Sequence, residues 1–152
     1  MNREHPQVSG IAAAPGIASG KAFAHRAERP AVSLRRVPDY RIESEIQRFH
    51  AALSEVCKDV RRTRQRVEYE QGADLAMIFD AQLAMLDDVQ VKDGTIASIR
   101  SRNWSAERAF PETMTQLRQG FEQIENEYLR ARVGHLIDIE PQVLVKIGRA
   151  HV

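Results

Sequence analysis

The side chains best suited to acid–base or metal chemistry in this 152-residue chain are histidines, and their spacing does not outline a site. The five are His5, His25, His50, His135 and His151. His50 follows Phe49 at the edge of an apolar helical stripe, and no second ligand stands at helical spacing, so no metal site is predicted there. The single cysteine, Cys57, excludes an internal disulfide and a multi-cysteine zinc site, and it fits a reducing compartment.

A run of arginines raises the question of nucleic-acid binding, because clustered arginines neutralise phosphates. The run consists of Arg61, Arg62, Arg64 and Arg66, flanked by Glu55, Asp59, Glu68 and Glu70. No aromatic side chains interleave with the arginines to stack on bases. The net charge is only +1. This pattern favours a solvated helix face and argues against a nucleic-acid or membrane-surface binder.

The stretch from Asp74 to Asp88 is typical of a helix with two apolar faces. The first face has the spacing of a core-facing stripe and consists of Leu75, Ile78, Phe79, Leu83 and Leu86. The second consists of Met77, Ala81, Ala84 and Met85, with Asp74, Asp80, Asp87 and Asp88 on its edges. One apolar face is enough to join a core. The second therefore suits either a protein partner or another helix of the same bundle, and spacing alone does not decide between them.

The elements that must position these residues are predicted to be helices. Aromatic residues make up 6% of the chain and charged residues 28%, a balance that favours helices with solvated outer faces. A heptad stripe predicts one long helix from about Tyr40 that lies along another helix. Its members are Ile42, Ile46, Phe49, Leu53, Val56, Val60 and Val67. Gly72 is expected to end this helix.

Further helical segments are predicted along the rest of the chain. After the 74–88 helix comes a piece over 89–102, weakened by Gly94. Another helix is expected after Ser105 as N-cap. The last runs from Glu127 to about Ile139, where Pro141 is expected to end it, because proline removes a donor and disfavours helix at the preceding residue.

The N-terminal segment predicts two short strands, at 8–13 and 17–24, joined by a type II turn at Pro15-Gly16. Its glycines do not form a phosphate loop, because the G-x-x-x-x-G-K-[ST] pattern is absent and no helix is expected directly after them. Two strands alone make a poor sheet, so they need further strands from elsewhere.

Three motifs share one family resemblance. They are SGIAAAPGIASGKA at 9–22, IFDAQLAMLDD at 78–88, and ENEYLRAR at 125–132 followed by Asp138-Ile139. In this order and spacing they resemble enzyme I of the bacterial phosphoenolpyruvate-dependent sugar phosphotransferase system, over roughly residues 8–139. The resemblance implies a mainly α fold: a bundle of two hairpins, with one long helix and three further helices, preceded by two short strands of an incomplete α/β domain.

The resemblance also implies a division of the chain and a partner. Residues 1–28 would be strands of the α/β phosphohistidine domain, and 29–139 a helical subdomain that docks the phosphocarrier HPr. Residues 140–152 are expected to be a divergent, partly non-native tail. The residues carried over to HPr docking are Asp74, Met77, Ala81, Gln82, Met85, Asp88 and Arg132. Gln82 stands where the family usually has histidine, and His135 where it has aspartate, so no proton-linked role is expected at Gln82.

No catalytic residue is expected in this chain, because none of its histidines matches the family's phosphorylated "GGRTSHT"-type motif. Magnesium and phosphoenolpyruvate are implied for the intact enzyme and not for this fragment. The parent is expected to dimerise through a C-terminal domain. With no apolar signal sequence or membrane-length run, a cytoplasmic location is expected. Two alternatives stay open: a non-catalytic helical interaction module, and the nitrogen-regulatory relative of enzyme I.

Overall fold

The computed structural model of the chain describes Gly20, residues 36–122 and residues 127–149; the described side chains are those of residues 36–121 and 138–149, besides Gly20. After a 3-10 turn at Asp39–Arg41, these ranges contain five α-helices. They are α1 (Ile42–Gln71), α2 (Ala73–Asp87), α3 (Val89–Arg102), α4 (Ala106–Glu122) and α5 (Glu127–Arg149). The prediction of a mainly helical fold is confirmed. The two predicted strands, and His5, His25 and His151, lie outside the described residues.

Helix α1 is the long helix that the heptad stripe predicted. The stripe is buried from Ile46 to Val60 and becomes partly exposed beyond it. The helix ends where predicted, because Gly72 adopts a φ of 99° that side chains rarely tolerate. Its buried face packs on α2 and α5 and contributes to the single core cluster. In that core the rings of Phe49 and Phe110 lie tilted with centroids 5.7 Å apart, which joins α1 to α4.

Helix α5 corrects the predicted end at Ile139, because it continues through Pro141 to Arg149. A proline inside a helix costs about 3 kcal/mol. Ile139, Val143 and Ile147 recur every four residues and are fully buried, and each such side chain contributes about 1.5–3 kcal/mol. Their combined burial therefore outweighs the lost hydrogen bond. Pro141 itself is exposed, where its ring meets little of the core.

The beginning of α1 and the end of α5 are tied together by a buried polar network. Arg48 donates to both carboxylate oxygens of Glu45, at 2.7 and 2.8 Å, and to Glu107 on α4. Its Nη2 also donates to the carbonyl of Ile147, at 3.0 Å. Glu45 accepts from the backbone N–H of Ala106, the first residue of α4, at 2.9 Å. The network therefore fixes three helices at one end of the bundle, which we call the base.

Within the parts of the chain that the structure describes, no helix combines the length and hydrophobicity needed to cross a bilayer.

Candidate functional site

Helix α2 buries only part of the face that its apolar spacing predicted. Leu75 and Ile78, assigned to the core stripe, are 58% and 53% exposed. Met85, assigned to the second face, is only 2% exposed. The residues of α2 that are buried are Ala76, Gln82, Met85 and Leu86, with Phe79 and Leu83 partly buried. The reason is that α2 packs against α1 and also against α5, so its buried arc spans parts of both predicted faces.

The opposite side of α2 presents a continuous stripe to solvent. It consists of Asp74, Met77, Ala81, Ala84 and Asp88, exposed or half-exposed and spaced at steps of three, four, three and four. Residues at these steps lie on one side of a helix. Two alanines at the centre leave room for a partner backbone to approach, and an aspartate stands at each end. We call this set the α2 stripe.

Two of the residues expected to contact HPr are buried in this structure. Gln82 is 9% exposed and Met85 2%, so neither is available on the free surface of α2. The backbone of Arg132 lies in α5, and its side chain, like that of His135, lies outside the described side chains. Sequence reasoning also missed Leu75, Ile78 and Val89 as surface residues: Met77 and these three are the exposed large apolar side chains in and just after α2. In the sequence, the only sign of this outcome was that both faces of α2 are apolar, so either face could have packed in the core.

The acidic residues around the stripe have different roles. Asp80 is paired with Arg64 of α1, with its Oδ1 2.6 Å from the arginine Nε. Lys92 of α3 pairs with Asp87, and its hydrogen bond lowers the pKa of that carboxyl. Asp88 accepts from the backbone N–H of Gln90 at 2.7 Å and so caps α3. Among the described side chains, Asp74 has no ion-pair partner, so its charge remains available to a cationic surface.

Two arginines of the run, Arg62 and Arg64, form ion pairs within the bundle. Arg64 contacts Glu68 and Asp80, and the hydrogen bond to Asp80 raises its pKa. Arg62 is 81% exposed and lies 3.9 Å from Asp59. These contacts agree with the predicted solvated face.

Chemistry that needs a metal has no visible basis in this part of the molecule. In the two described ranges, no three histidine, cysteine or carboxylate side chains converge as a metal site would require. His50 is exposed and lies against Phe49, with ring centroids 5.9 Å apart.

The described part of the chain is thus a helical bundle that presents one face of α2, with acidic residues at its edges, to solvent. Residues 9–132 match the family described as PEP-utilising enzyme, N-terminal, and the chain belongs to that family.

Curated relatives and a solved structure agree with this assignment. The chain is 32% identical over 141 residues to the phosphoenolpyruvate-protein phosphotransferase of Priestia megaterium, and 33% identical over 138 residues to that of Listeria monocytogenes. These alignments cover 93% and 91% of the chain and 24% of each relative, so the chain spans about a quarter of their length. A solution NMR structure of an enzyme I protein superposes with a TM-score of 0.74 at 22% identity, over 80% of this chain and 49% of that one, which shows a shared fold.

Proposed function

We propose that this chain is the phosphocarrier-docking part of a phosphoenolpyruvate-protein phosphotransferase and that the α2 stripe is its contact surface for HPr. The family membership and the names of the relatives support the parent enzyme. The observation that carries the docking surface is the solvent-facing stripe with Met77 and two alanines between Asp74 and Asp88. A cytoplasmic site of action and dimerisation of the parent through a C-terminal domain belong to the same proposal.

The parent would transfer a phosphoryl group from phosphoenolpyruvate to one of its own histidines and then to HPr. No residue of this chain is assigned to either transfer. In this proposal, magnesium and phosphoenolpyruvate act in the remainder of the parent, as the family resemblance implies. This chain would hold HPr in place so that its acceptor histidine meets the phosphorylated histidine of the parent.

The chemistry of the stripe suits a partner with a small apolar contact and a basic rim. Met77 is 64% exposed, and its flexible side chain adapts to an apolar partner surface. The alanines allow close approach, and Leu75 and Ile78 extend the apolar area along the first turns of α2. The free charge of Asp74 would speed encounter with a basic surface more than it would raise affinity. We therefore expect fast, salt-sensitive association.

Titration of the isotope-labelled chain with HPr, followed by backbone amide shifts, tests this proposal. Shifts should centre on residues 74–88. Ala84→Arg places a long cation in the middle of the stripe and should weaken binding at least about tenfold, because a bulky charge there leaves the interface unpaired and desolvated. Ala51→Arg is the matched control, since Ala51 is equally exposed on the outward side of α1. Equal weakening by both variants would refute the assignment.

The same titration separates the alternatives. If the chain is an interaction module unrelated to phosphotransfer, HPr should not bind, even though the α2 stripe is exposed to solvent. Binding through Arg61, Arg62 and Arg66 predicts shifts confined to the arginine run and a steep loss of affinity with salt. A nitrogen-regulatory parent predicts tighter binding of the phosphocarrier from that branch than of the sugar-branch HPr, so both carriers are titrated in parallel.

A further inference from the structure

A cavity of about 530 Å³ opens at the turn between α3 and α4, near the beginning of α1. Its volume lies in the range of small-molecule sites. Three arginines line it and, among the described residues, no acidic side chain does. The lining residues are Arg36, Val37, Ser101, Arg102, Asn103, Trp104 and Arg108. This part of the molecule plays no role in the docking proposal.

The cavity is held in shape by contacts between the chain before α1 and the α3–α4 turn. Arg36 and Trp104 form an antiparallel bridge, and the N–H of Val37 donates to the carbonyl of Asn103 at 2.7 Å. Asn103 adopts a left-handed conformation with a φ of 54°, which its side chain tolerates better than most. The side-chain amide of Asn103 also donates a hydrogen bond to the carboxylate of Asp39. Backbone contacts therefore hold the two segments that carry most of the lining side chains.

The cavity brings three cationic side chains together around one tryptophan. The guanidinium carbons of Arg102 and Arg108 lie 4.6 and 4.1 Å from the centroid of the same indole ring, that of Trp104. The indole face attracts each cation. Trp104 therefore holds both guanidinium groups at the cavity, and Arg36 adds a third cation to its lining.

We propose that this cavity binds a small organic phosphate. A guanidinium presents a planar fork of N–H donors that matches phosphate oxygens, and such charge-assisted bonds are stronger than neutral ones. Three arginines suit a ligand with two or more negative charges. The cavity exceeds the size of inorganic phosphate, so an organic group is accommodated beside the arginines. Trp104 is only 8% exposed, so it orients the arginines and is not a stacking platform for the ligand.

The site is independent of HPr docking. The nearest end of the α2 stripe is Asp88, and α3 separates it from the cavity residues; a helix of 14 residues is about 21 Å long. A ligand at the base would therefore not touch the α2 stripe. Loss of anion binding and loss of HPr binding are separable in experiments.

Trp104 is the sole tryptophan of the chain, so its fluorescence reports on the cavity directly. The full chain is titrated with inorganic pyrophosphate as probe, against potassium chloride at equal ionic strength. A saturable change is expected with pyrophosphate and none with chloride. Arg36→Gln and Arg102→Gln should each weaken pyrophosphate binding about tenfold, the effect of losing one hydrogen bond to a charged group. Arg62→Gln, an exposed arginine of α1, is the matched control and should leave binding unchanged.

Three results would overturn the proposal: the same response to chloride, equal weakening by Arg62→Gln and Arg102→Gln, or tight binding of citrate without binding of pyrophosphate, which would indicate a carboxylate site. Circular dichroism checks that each variant is folded. Arg36 is exposed and precedes the first helix, so Arg36→Gln keeps the test valid if Arg102→Gln does not fold. HPr binding should be unchanged in both variants.

Discussion

Two arginines on α1 make the same kind of network in different surroundings. Arg48 bridges Glu45 on its own helix and Glu107 on α4, whereas Arg64 bridges Glu68 on its own helix and Asp80 on α2. The side chains of the first network are 11%, 4% and 9% exposed, and those of the second 29%, 44% and 51%. They lie 16 residues apart, which is about 24 Å along a helix.

The comparison shows that burial, more than geometry, determines how strongly an ion pair fixes the packing of the helices it joins. At the base, removal of one partner leaves charge in a place that water cannot reach, so the network specifies how α1, α4 and α5 fit together. Around Arg64, water and dissolved ions can solvate a charge that loses its partner, so this exposed ion pair contributes little to the packing of α2 on α1. These ion pairs therefore constrain the helices more strongly at the base than at the α1–α2 hairpin, where the proposed docking stripe lies.

The largest expected effect comes from Arg48→Met, which should cost about 3–5 kcal/mol of the free energy of unfolding, because Glu45 and Glu107 remain buried without their cation. Urea denaturation measures the loss. Arg64→Met is the matched control and should shift the midpoint far less. Comparable losses in the two variants would contradict the distinction between the base and the hairpin.

The second prediction extends the comparison to the end of α5. Ile147 is fully buried next to the base network, and Ile147→Ala should cost about 2–4 kcal/mol, through lost apolar burial and the cavity left behind. Its backbone carbonyl still accepts from Arg48. Arg149→Ala, two residues on and exposed, should be close to neutral in the same denaturation experiment. If Ile147→Ala were neutral as well, the end of α5 would not belong to the core.

The fold was largely predictable where apolar residues follow one helical period. The stripe of α1 predicted its buried face from Ile46 to Val60, and Gly72 predicted its end, because both signals are local. The end of α5 was not predictable in the same way, since the local signal from Pro141 is overridden by core contacts of Val143 and Ile147. The Glu45–Arg48 spacing is visible in the sequence, but its third member is not, because Glu107 meets Arg48 only through the packing of α4.

The candidate site was predictable only in part. Asp74, Met77, Ala81 and Asp88 lie on one exposed or half-exposed side of α2, as the interpretation of a second face requires. Met85 belongs to the core instead, and Leu75 and Ile78 to the surface. A helix with apolar residues on two sides gives no rotational preference, so its neighbours α1 and α5 decide which arc is buried. Whether the stripe contacts HPr stays a prediction.

The third prediction concerns side-chain packing between α3 and α4 instead of ion pairs. A Cβ atom at Gly94 would lie 2.9 Å from Cγ2 of Thr113, which is buried and bonded to the carbonyl of Ala109. Gly94→Ala gains about 1 kcal/mol of helix propensity but costs about 1–3 kcal/mol of overpacking, so a net loss is expected. Gly120 has open space around it, and Gly120→Ala should stabilise. Thermal melts should also show Thr113→Ser rescuing Gly94→Ala. Stabilisation by both alanines would contradict a tight α3–α4 contact.

The smallest expected effect concerns Lys146, a third bridging cation, which pairs with Asp59 at 2.7 Å and Glu55 at 3.3 Å. Its hydrogen bond lowers the pKa of Asp59 below 3.8 and raises that of Lys146 above 10.5. The stabilisation from Asp59 is therefore present above the ordinary carboxyl pKa and is lost as pH falls through the lowered one. That from Lys146 is present below its ordinary pKa and is lost as pH rises through the raised one.

The melting temperatures of the wild type and Asp59→Asn should thus differ by a small, constant amount from about pH 6 to about pH 9 and converge only as pH falls below the lowered pKa of Asp59. The difference must be small because Asp59 is 47% exposed, where water and salt screen the pair. Titration of the Asp59 carboxyl by NMR gives the direct check, and a midpoint at or above 3.8 would show that the ion pair does not persist in solution. A pronounced pH dependence would mean that this exposed ion pair stabilises the fold as strongly as the buried Arg48 network. Burial could then no longer explain why the two arginine networks differ.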